Sequence, residues 1–242
     1  MRMILQIPAI NGLGITNGCE LAPKKICDLL KLKSETILIN KNDLDEQELT
    51  IYSEVMRRLN LGEQLTILGG DHSISFPIGK AFLDTTKNPR ILIFDAHLDM
   101  MEPLKNPTHE EWLRALIEHK SFKDILVVGI RRKSKNIDER EVEYARDKSI
   151  KLVYSDEFEE KKNEIIDFCK GKEIYISLDV DVFDKSLVDS TGYPEMNGLR
   201  EDLIPFIKSI KNVKVLDLVE VNTTKGSFNK TLPLIKELLW KK

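Results

Sequence analysis

Three short segments of the sequence combine carboxylates and imidazoles in patterns that could bind metal ions. They are Gly69-Gly70-Asp71-His72, Asp95-Ala96-His97-Leu98-Asp99 and Asp179-Val180-Asp181, and each follows an apolar run typical of a β-strand. Alternate residues of an extended chain point to the same face, so Asp95, His97 and Asp99 are predicted to converge on one point. If the apolar runs are strands of one open parallel sheet, their carboxyl ends meet at the crevice where such sheets bind ligands. We therefore predict a single site at that edge.

The predicted site contains six candidate ligands: His72, Asp95, His97, Asp99, Asp179 and Asp181. Carboxylates and imidazoles without a thiolate favour manganese, although other divalent ions can use the same ligand types. Four carboxylates in one crevice would repel one another, and two divalent ions cancel a charge that one ion would only halve. Paired ions about 3.5–4 Å apart also lower the pKa of a bridging water, so that hydroxide is available near neutral pH. The predicted cofactor is therefore two Mn²⁺ ions.

Other polar residues near these segments have less specific interpretations. Asp71 precedes His72 and should point to the opposite face, so we expect it to support the ligands rather than to bind metal. Asp184 is expected to cap or brace its loop, and His119, near a helix end, is expected to lie on the surface. His109, in a loop beyond the Asp-x-His-x-Asp segment, could be solvated or could act in proton transfer.

The segments that position these residues alternate between strand-like and helix-like patterns along the whole chain. Strand-like runs such as 3–7 and 213–219 are separated by helical periods such as 43–59 and 157–169. This alternation predicts an α/β fold, with helices on both faces of a mostly parallel sheet. No linker, low-complexity tract or internal repeat divides residues 1–242, so we predict a single domain.

Composition and charge argue against several classes of protein. The formal net charge is −3, from 37 basic and 40 acidic residues, which gives no basic footprint for nucleic acid or an anionic membrane. The three cysteines Cys19, Cys27 and Cys169 have no metal-binding spacing, so we expect reduced and mostly buried thiols. No apolar run has the length of a signal peptide's core or of a transmembrane helix, so we expect a cytoplasmic protein.

The three segments, with the residues beside them, also resemble the signature motifs of a known family. Gly69-Gly70-Asp71-His72-Ser73, Asp95-Ala96-His97-Leu98-Asp99 and Ser177-Leu178-Asp179-Val180-Asp181 are similar to the three motifs of the ureohydrolases, in that family's order. The family includes arginase, agmatinase and formimidoylglutamase. Further likeness at 12–30 and 216–222 extends the resemblance over nearly the whole chain. It implies an arginase-like, three-layer α/β/α sandwich and a manganese-dependent hydrolase.

The resemblance implies a role for each matched residue. One manganese would be held by His72, Asp95, Asp99 and Asp179, and the other by Asp95, His97, Asp179 and Asp181. Asp99 would also accept a hydrogen bond from the bridging hydroxide, which is the nucleophile. His109 would carry a proton to the leaving amine, and Glu220 would pair with the guanidinium of the substrate. From the sequence alone, Glu220 could equally be an ordinary charge at a strand end.

Departures from the family pattern bear on the substrate. Glu110 and Glu111 follow His109 where glycine is usual, and the Ser-Gly-Asn-x-His run by which arginases read the amino-acid end of arginine is absent. We therefore predict a hydrolase of C–N bonds in linear amidines that acts on a small cationic guanidino or amidine compound. An agmatine-like amine, releasing urea and an amine, is the first candidate.

Two other functions stay open at this point. The same metal site could hydrolyse another C–N bond, in a formimino or acetylated amine, or a phosphoester. Alternatively, the chain could be a metal-binding regulatory protein without turnover. A carboxylate at Glu220 favours a cationic substrate over an anionic phosphate. We expect a homo-oligomer, and neither nucleic acid nor membrane as a partner.

Overall fold

Runs rich in isoleucine, leucine and valine form the central sheet of the protein, which a computed structural model describes at residues 2–132, 134 and 137–239. The strands are β1 (Met3–Ile7), β2 (Glu35–Thr36), β3 (Leu65–Gly69), β4 (Pro89–Phe94), β5 (Ile125–Ile130), β6 (Lys151–Tyr154), β7 (Glu173–Asp179) and β8 (Val213–Val219). All pairs are parallel, in the order β2-β1-β3-β8-β7-β4-β5-β6. Strands β3 and β5 bury every residue, as expected where helices cover both faces.

Helices cover the two faces of this sheet. They are α1 (Ala22–Leu30), α2 (Leu44–Asn60), α3 (Ser75–Thr85), α4 (Trp112–Lys120), α5 (Glu139–Asp147), α6 (Phe158–Cys169), α7 (Leu203–Ser209) and α8 (Thr231–Leu239). Apolar side chains of α1, α6, α7 and α8 join one buried cluster, and those of α2 to α5 join the other. The predicted three-layer α/β/α sandwich on a parallel sheet is therefore confirmed.

The predicted site lies at the carboxyl ends of four neighbouring strands. Strands β3, β8, β7 and β4 are consecutive in the sheet. His72 begins a short 3-10 helix after β3, Asp95 directly follows β4, Asp179 is the last residue of β7, and Glu220 directly follows β8. Segments far apart in sequence are thus brought to one edge of the sheet, as the parallel-sheet argument requires.

The predicted extended conformation of residues 95–99 is wrong. Strand β4 ends at Phe94, and Asp99 has a left-handed backbone with φ of 52°. The chain turns because the Asp95 side chain accepts a hydrogen bond from the backbone N–H of His97, at 2.7 Å. Such aspartate turns compete with strand pairing. The three side chains of this motif therefore approach one another through a turn rather than through strand alternation.

The same turn recurs in the other two motifs. Asp71 accepts from the backbone N–H of Ser73 at 3.2 Å, and Asp179 accepts from that of Asp181 at 2.8 Å. In each motif the first aspartate fixes the backbone two residues further on. This shared geometry ends the strand and aims the following side chains into the crevice.

The three cysteines and the lengths of the helices bear on the predictions made from composition. Cys19, Cys27 and Cys169 are all buried and free, as expected. In the ranges that the structure describes, every helix is too short or too polar to cross a bilayer.

Candidate metal centre

Three carboxylates surround one nitrogen of His72. Its Nδ1 lies 2.9 Å from Asp99 Oδ2, 3.1 Å from Asp95 Oδ2 and 3.4 Å from Asp179 Oδ2. His72 and Asp95 are almost completely buried, and Asp99 is only slightly exposed. The structure thus brings together the residues expected to hold the first ion.

A second group of ligand atoms forms around His97. Its Nδ1 lies 3.0 Å from Asp181 Oδ2 and 3.6 Å from Asp95 Oδ1. Asp95 therefore directs one carboxylate oxygen at each imidazole. His72, Asp95 and Asp99 form one compact set of three ligand atoms, and Asp95, His97 and Asp181 form another. Two sets that share one carboxylate are the arrangement that a pair of ions requires.

Asp179 occupies a position beside both sets without completing either of these triads. Its Oδ2 faces His72 Nδ1, while its Oδ1 accepts the backbone N–H of Asp181 at 2.8 Å. The sequence predicted that Asp179 would serve both ions. The structure places it next to one ligand of each set, so that role stays a prediction.

Hydrogen bonds behind His72 determine which of its nitrogens can bind a cation. Ser177 Oγ donates to Asp217 Oδ1 at 2.7 Å, and a hydroxyl has only one proton to donate. Ser177 Oγ must therefore accept the proton of His72 Nε2, which lies 2.9 Å away. The other nitrogen, Nδ1, is buried among the three carboxylates. When this nitrogen is not protonated, its lone pair fits a divalent cation.

Burial and repulsion between carboxylates make this group unfavourable without a positive charge. Burial and two neighbouring carboxylates raise the pKa of Asp179 well above its usual value, and similar causes raise the pKa of Asp99 to about 7. Burial lowers the pKa of the His72 and His97 imidazoles, but the carboxylates around them outweigh it and raise both pKa values well above usual. Protons and divalent cations therefore compete for the same atoms.

Asp71 supports the site from outside, as predicted. It is fully buried, and its Oδ2 accepts from the backbone N–H of Asn11 at 2.8 Å and from Thr16 Oγ1 at 2.7 Å. Its Oδ1 accepts from Ser73 Oγ at 2.5 Å. These bonds join the loop after β1 to the segment that carries His72, and they use both carboxylate oxygens of Asp71.

A buried arginine that the sequence did not single out holds the loop after β7. The Arg131 guanidinium donates to the backbone carbonyls of Asp181 at 2.8 Å and Val182 at 2.7 Å. Further along this loop, Asp184 accepts from the backbone N–H groups of Ser186 and Gly198, which confirms its predicted bracing role. Arg131 directly follows β5. No local sequence pattern indicates the tertiary contacts that its guanidinium makes.

A cavity of about 380 Å³ opens beside the two candidate ion positions. Its lining comprises His97, Asp99, Met101, His109, Glu110, Ile137, Asp138, Glu141 and Tyr193. The site residues His97, Asp99 and His109 therefore share one cavity. Tyr193 was missed because it lies between Gly192 and Pro194, outside any strand or helix, where no periodic pattern indicates the direction of a side chain.

His109 is buried in the wall of this cavity and is not solvated at the surface. It is 8% exposed, and neither ring nitrogen has a hydrogen-bond partner among the residues that the structure describes. Its ring stacks on Tyr193 with centroids 6.3 Å apart, and Tyr193 also meets His97 edge-on at 6.0 Å. Burial lowers the pKa of His109. His119, in contrast, is exposed at the end of α4, as predicted.

Glu220 lies behind the candidate ligands and is not part of the cavity lining. Its backbone is left-handed, with φ of 61°, and its side chain is buried. Oε1 accepts the backbone N–H of His72 at 2.9 Å, and Oε2 accepts the thiol of Cys19 at 3.7 Å. Burial and the charge of Asp71 raise the pKa of Glu220 well above its usual value. In this arrangement Glu220 positions the His72 backbone.

The sequence of this chain is similar to those of one family of known proteins. Residues 4–242 match the model of the arginase family. The chain is 30% identical over 199 residues to N(1)-aminopropylagmatine ureohydrolase of Thermus thermophilus, covering 76% of this chain and 64% of that protein. It is 29% identical over 174 residues to agmatinase of Bacillus anthracis, covering 69% of this chain and 58% of that protein. The chain thus spans less than two thirds of the length of these relatives.

Solved structures share the fold. Formimidoylglutamase of Bacillus subtilis superposes with a TM-score of 0.88 at 24% identity, covering 98% of this chain and 84% of that one. Arginase of Bacillus cereus superposes with a TM-score of 0.80 at 19% identity, covering 99% and 98%. The predicted arginase-like architecture is confirmed.

Proposed function

Because this chain belongs to the arginase family, we propose that it hydrolyses a C–N bond of a small guanidino or amidine compound at a pair of divalent cations. One observation carries the proposal: Asp95 turns one oxygen towards His72 and the other towards His97, beside a cavity that also contains His109. Relatives named agmatinase and aminopropylagmatine ureohydrolase support a guanidino substrate.

The metal ligands that we propose are the six predicted from the sequence. One ion would be held by His72, Asp95, Asp99 and Asp179, and the other by Asp95, His97, Asp179 and Asp181. When bound, two such ions, manganese by preference, would activate water as a nucleophile near neutral pH and polarise the amidine. The protein contributes the arrangement of the ligands and the exclusion of bulk water from a largely buried edge of the sheet.

Two side chains in the cavity are suited to handling protons. Asp99 faces both the candidate ligands and the cavity, so its carboxylate is placed to accept a hydrogen bond from the attacking water. His109 has two unpartnered nitrogens and a lowered pKa, so its imidazole is neutral at the start of the reaction. We propose that His109 takes up a proton and passes it to the leaving nitrogen.

The charge of the cavity wall supports a cationic substrate. The described residues that line it include four carboxylates, at Asp99, Glu110, Asp138 and Glu141, and neither lysine nor arginine. An anionic phosphoester would be repelled by this wall, whereas a guanidinium would be attracted. This observation favours amidine hydrolysis over phosphoester hydrolysis at the same ligands.

The role of Glu220 as a direct partner of the guanidinium stays a prediction. Both of its oxygens already accept a hydrogen bond, yet a carboxylate can accept about four. The expected homo-oligomer and cytoplasmic location likewise stay predictions.

Product analysis tests this proposal. Manganese-loaded protein should release urea from a guanidino compound with an amine at the other end, and the agmatine-like amine is the first to try. Release of ammonia or formamide from a formimino compound, without urea from any guanidino compound, would instead favour the second C–N chemistry. A protein that binds two ions and turns over none of these compounds would be the regulatory alternative.

A further inference from the structure

Trp112 touches two of the proposed ligands of the same ion. It is the first residue of α4 and is fully buried. Its indole Nε1 donates a hydrogen bond of 2.8 Å to Asp99 Oδ2, the oxygen that also lies 2.9 Å from His72 Nδ1. The indole also lies against the His72 ring, with centroids 4.7 Å apart and planes at 35°. One side chain therefore restrains both a carboxylate and an imidazole.

The backbone at the start of α4 holds Asp99 as well. The N–H groups of Leu113 and Arg114 donate to the backbone carbonyl of Asp99, at 3.2 and 3.4 Å. These are N–H groups that have no partner within their own helix, so Asp99 serves as their acceptor. Asp99 also has φ of 52°, a conformation that non-glycine residues adopt at a cost. The contacts from α4 maintain this backbone.

The same stretch of chain carries His109. The backbone carbonyl of Glu110, the residue after it, accepts the backbone N–H of Met101 at 3.1 Å, two residues beyond Asp99. Residues 109–114 and 99–101 are thus bound to each other at several points. The start of α4, which positions Asp99, is therefore also connected to His109, the proposed proton carrier.

We propose that Trp112 is a positioning residue that fixes Asp99 and His72 for the first ion and connects them to the His109 segment. This inference rests on the proposed metal centre. Without the indole N–H, the Asp99 carboxylate loses the hydrogen bond that holds its Oδ2 beside His72 Nδ1. The ion between His72 and Asp99 should then bind more weakly. The ion between His97 and Asp181 should be unaffected, because the hydrogen bond and the ring contact of Trp112 are to Asp99 and His72.

The test is Trp112→Phe, which keeps an aromatic ring against His72 and removes the N–H donor. Loss of a hydrogen-bond partner of a metal ligand typically lowers metal affinity by about 10- to 100-fold. Equilibrium dialysis against limiting Mn²⁺, with metal analysis, should show two bound ions per chain for the unaltered protein and about one for the variant. Two ions bound with unaltered affinity would overturn the inference.

The matched control is Phe82→Leu, at a fully buried aromatic residue of α3 in the same layer, whose ring packs against Tyr175. It should bind two ions as the unaltered protein does. If the unaltered protein itself binds no Mn²⁺, the proposed function fails. If it binds two and Trp112→Phe binds two equally well, only the role of Trp112 fails.

Fluorescence provides a second measurement in case Trp112→Phe does not fold. The chain has two tryptophans, so Trp240→Phe leaves Trp112 as the only one. Paramagnetic Mn²⁺ bound between His72 and Asp99 should quench its emission, and quenching should persist when the other set is removed by Asp181→Ala. Emission that stays constant while dialysis shows bound ions would also overturn the inference.

Discussion

His72 Nε2 and Ser177 Oγ are 2.9 Å apart, and this contact determines the chemistry of the opposite side of the imidazole ring. Ser177 donates its own proton to Asp217, which also accepts from Ser75 and Tyr175, so the serine can only accept from the imidazole. The second ring nitrogen is therefore left to hold either a proton or a cation among carboxylates. The buried polar network behind the sheet edge thus prepares a ligand.

Metal affinity should depend on pH, because cations must displace protons from these ligands. The raised pKa values of His72 and His97 mean that both imidazoles are protonated near neutral pH when no cation is bound. A raised pKa favours the protonated form, so Mn²⁺ affinity should fall as pH is lowered. The expected decrease is about tenfold per pH unit for each proton displaced.

Titration calorimetry in buffers with different ionisation enthalpies measures the number of protons released. Protons should be released on binding at about pH 7, where Asp99 also titrates, with its pKa of about 7. Binding without proton release, with an affinity that is constant between about pH 6 and 8, would contradict the proposed ligand set.

The shared position of Asp95 predicts different effects for two substitutions. Asp95→Ala removes an oxygen from both sets of ligands, so the variant should retain neither ion tightly. Asp181→Ala removes a ligand from one set only and should retain about one ion per chain. Asp28→Ala, at an exposed residue of α1 that pairs with Lys24, is the control and should retain both.

Metal analysis after dialysis measures the three variants together. The order expected for bound manganese is Asp28→Ala above Asp181→Ala above Asp95→Ala. Equal losses for Asp95→Ala and Asp181→Ala would indicate that the ions bind as an inseparable pair. Full occupancy in Asp95→Ala would show that Asp95 does not bind both ions.

The sequence predicted which residues meet but not the geometry by which they meet. Apolar runs ending in Asp95 and Asp179 indicate strand tips, and parallel strands place their tips at one edge. The left-handed backbone of Asp99 depends on contacts from α4 that no local pattern displays. Trp112 and Ser177 act through hydrogen bonds to distant segments, and tryptophan and serine have many other uses in a buried core.

Glu220→Gln tests whether the buried carboxylate recognises the substrate. Glutamine can still accept the backbone N–H of His72, so metal content should be unchanged. Affinity for a guanidino substrate should fall by about 2–5 kcal/mol if Glu220 pairs directly with it in the buried site. Steady-state kinetics with manganese-loaded protein measures this change. An unaltered KM and kcat for every cationic substrate would exclude direct pairing between Glu220 and the guanidinium.

Glu110→Gln tests the outer part of the cavity. Asp138 pairs with Arg140 at 2.6 Å and Glu141 accepts two backbone N–H groups, whereas Glu110 is 56% exposed and lies 3.8 Å from His109. An exposed ion pair contributes about 0.2–1 kcal/mol. KM should therefore rise by at most about fivefold for a guanidino substrate with a distal amine. A guanidino substrate that ends in a methyl group should show no change, and an equal rise for both would exclude recognition of the distal charge.

Anomalous diffraction from a crystal soaked in Mn²⁺ shows directly whether two ions bind at the proposed ligands. Two strong peaks are expected at the carboxyl ends of β3, β4 and β7. One should lie among His72, Asp95 and Asp99, and the other among Asp95, His97 and Asp181. No peak in this crevice at saturating Mn²⁺, or a peak that contacts none of these side chains, would contradict the proposed metal centre.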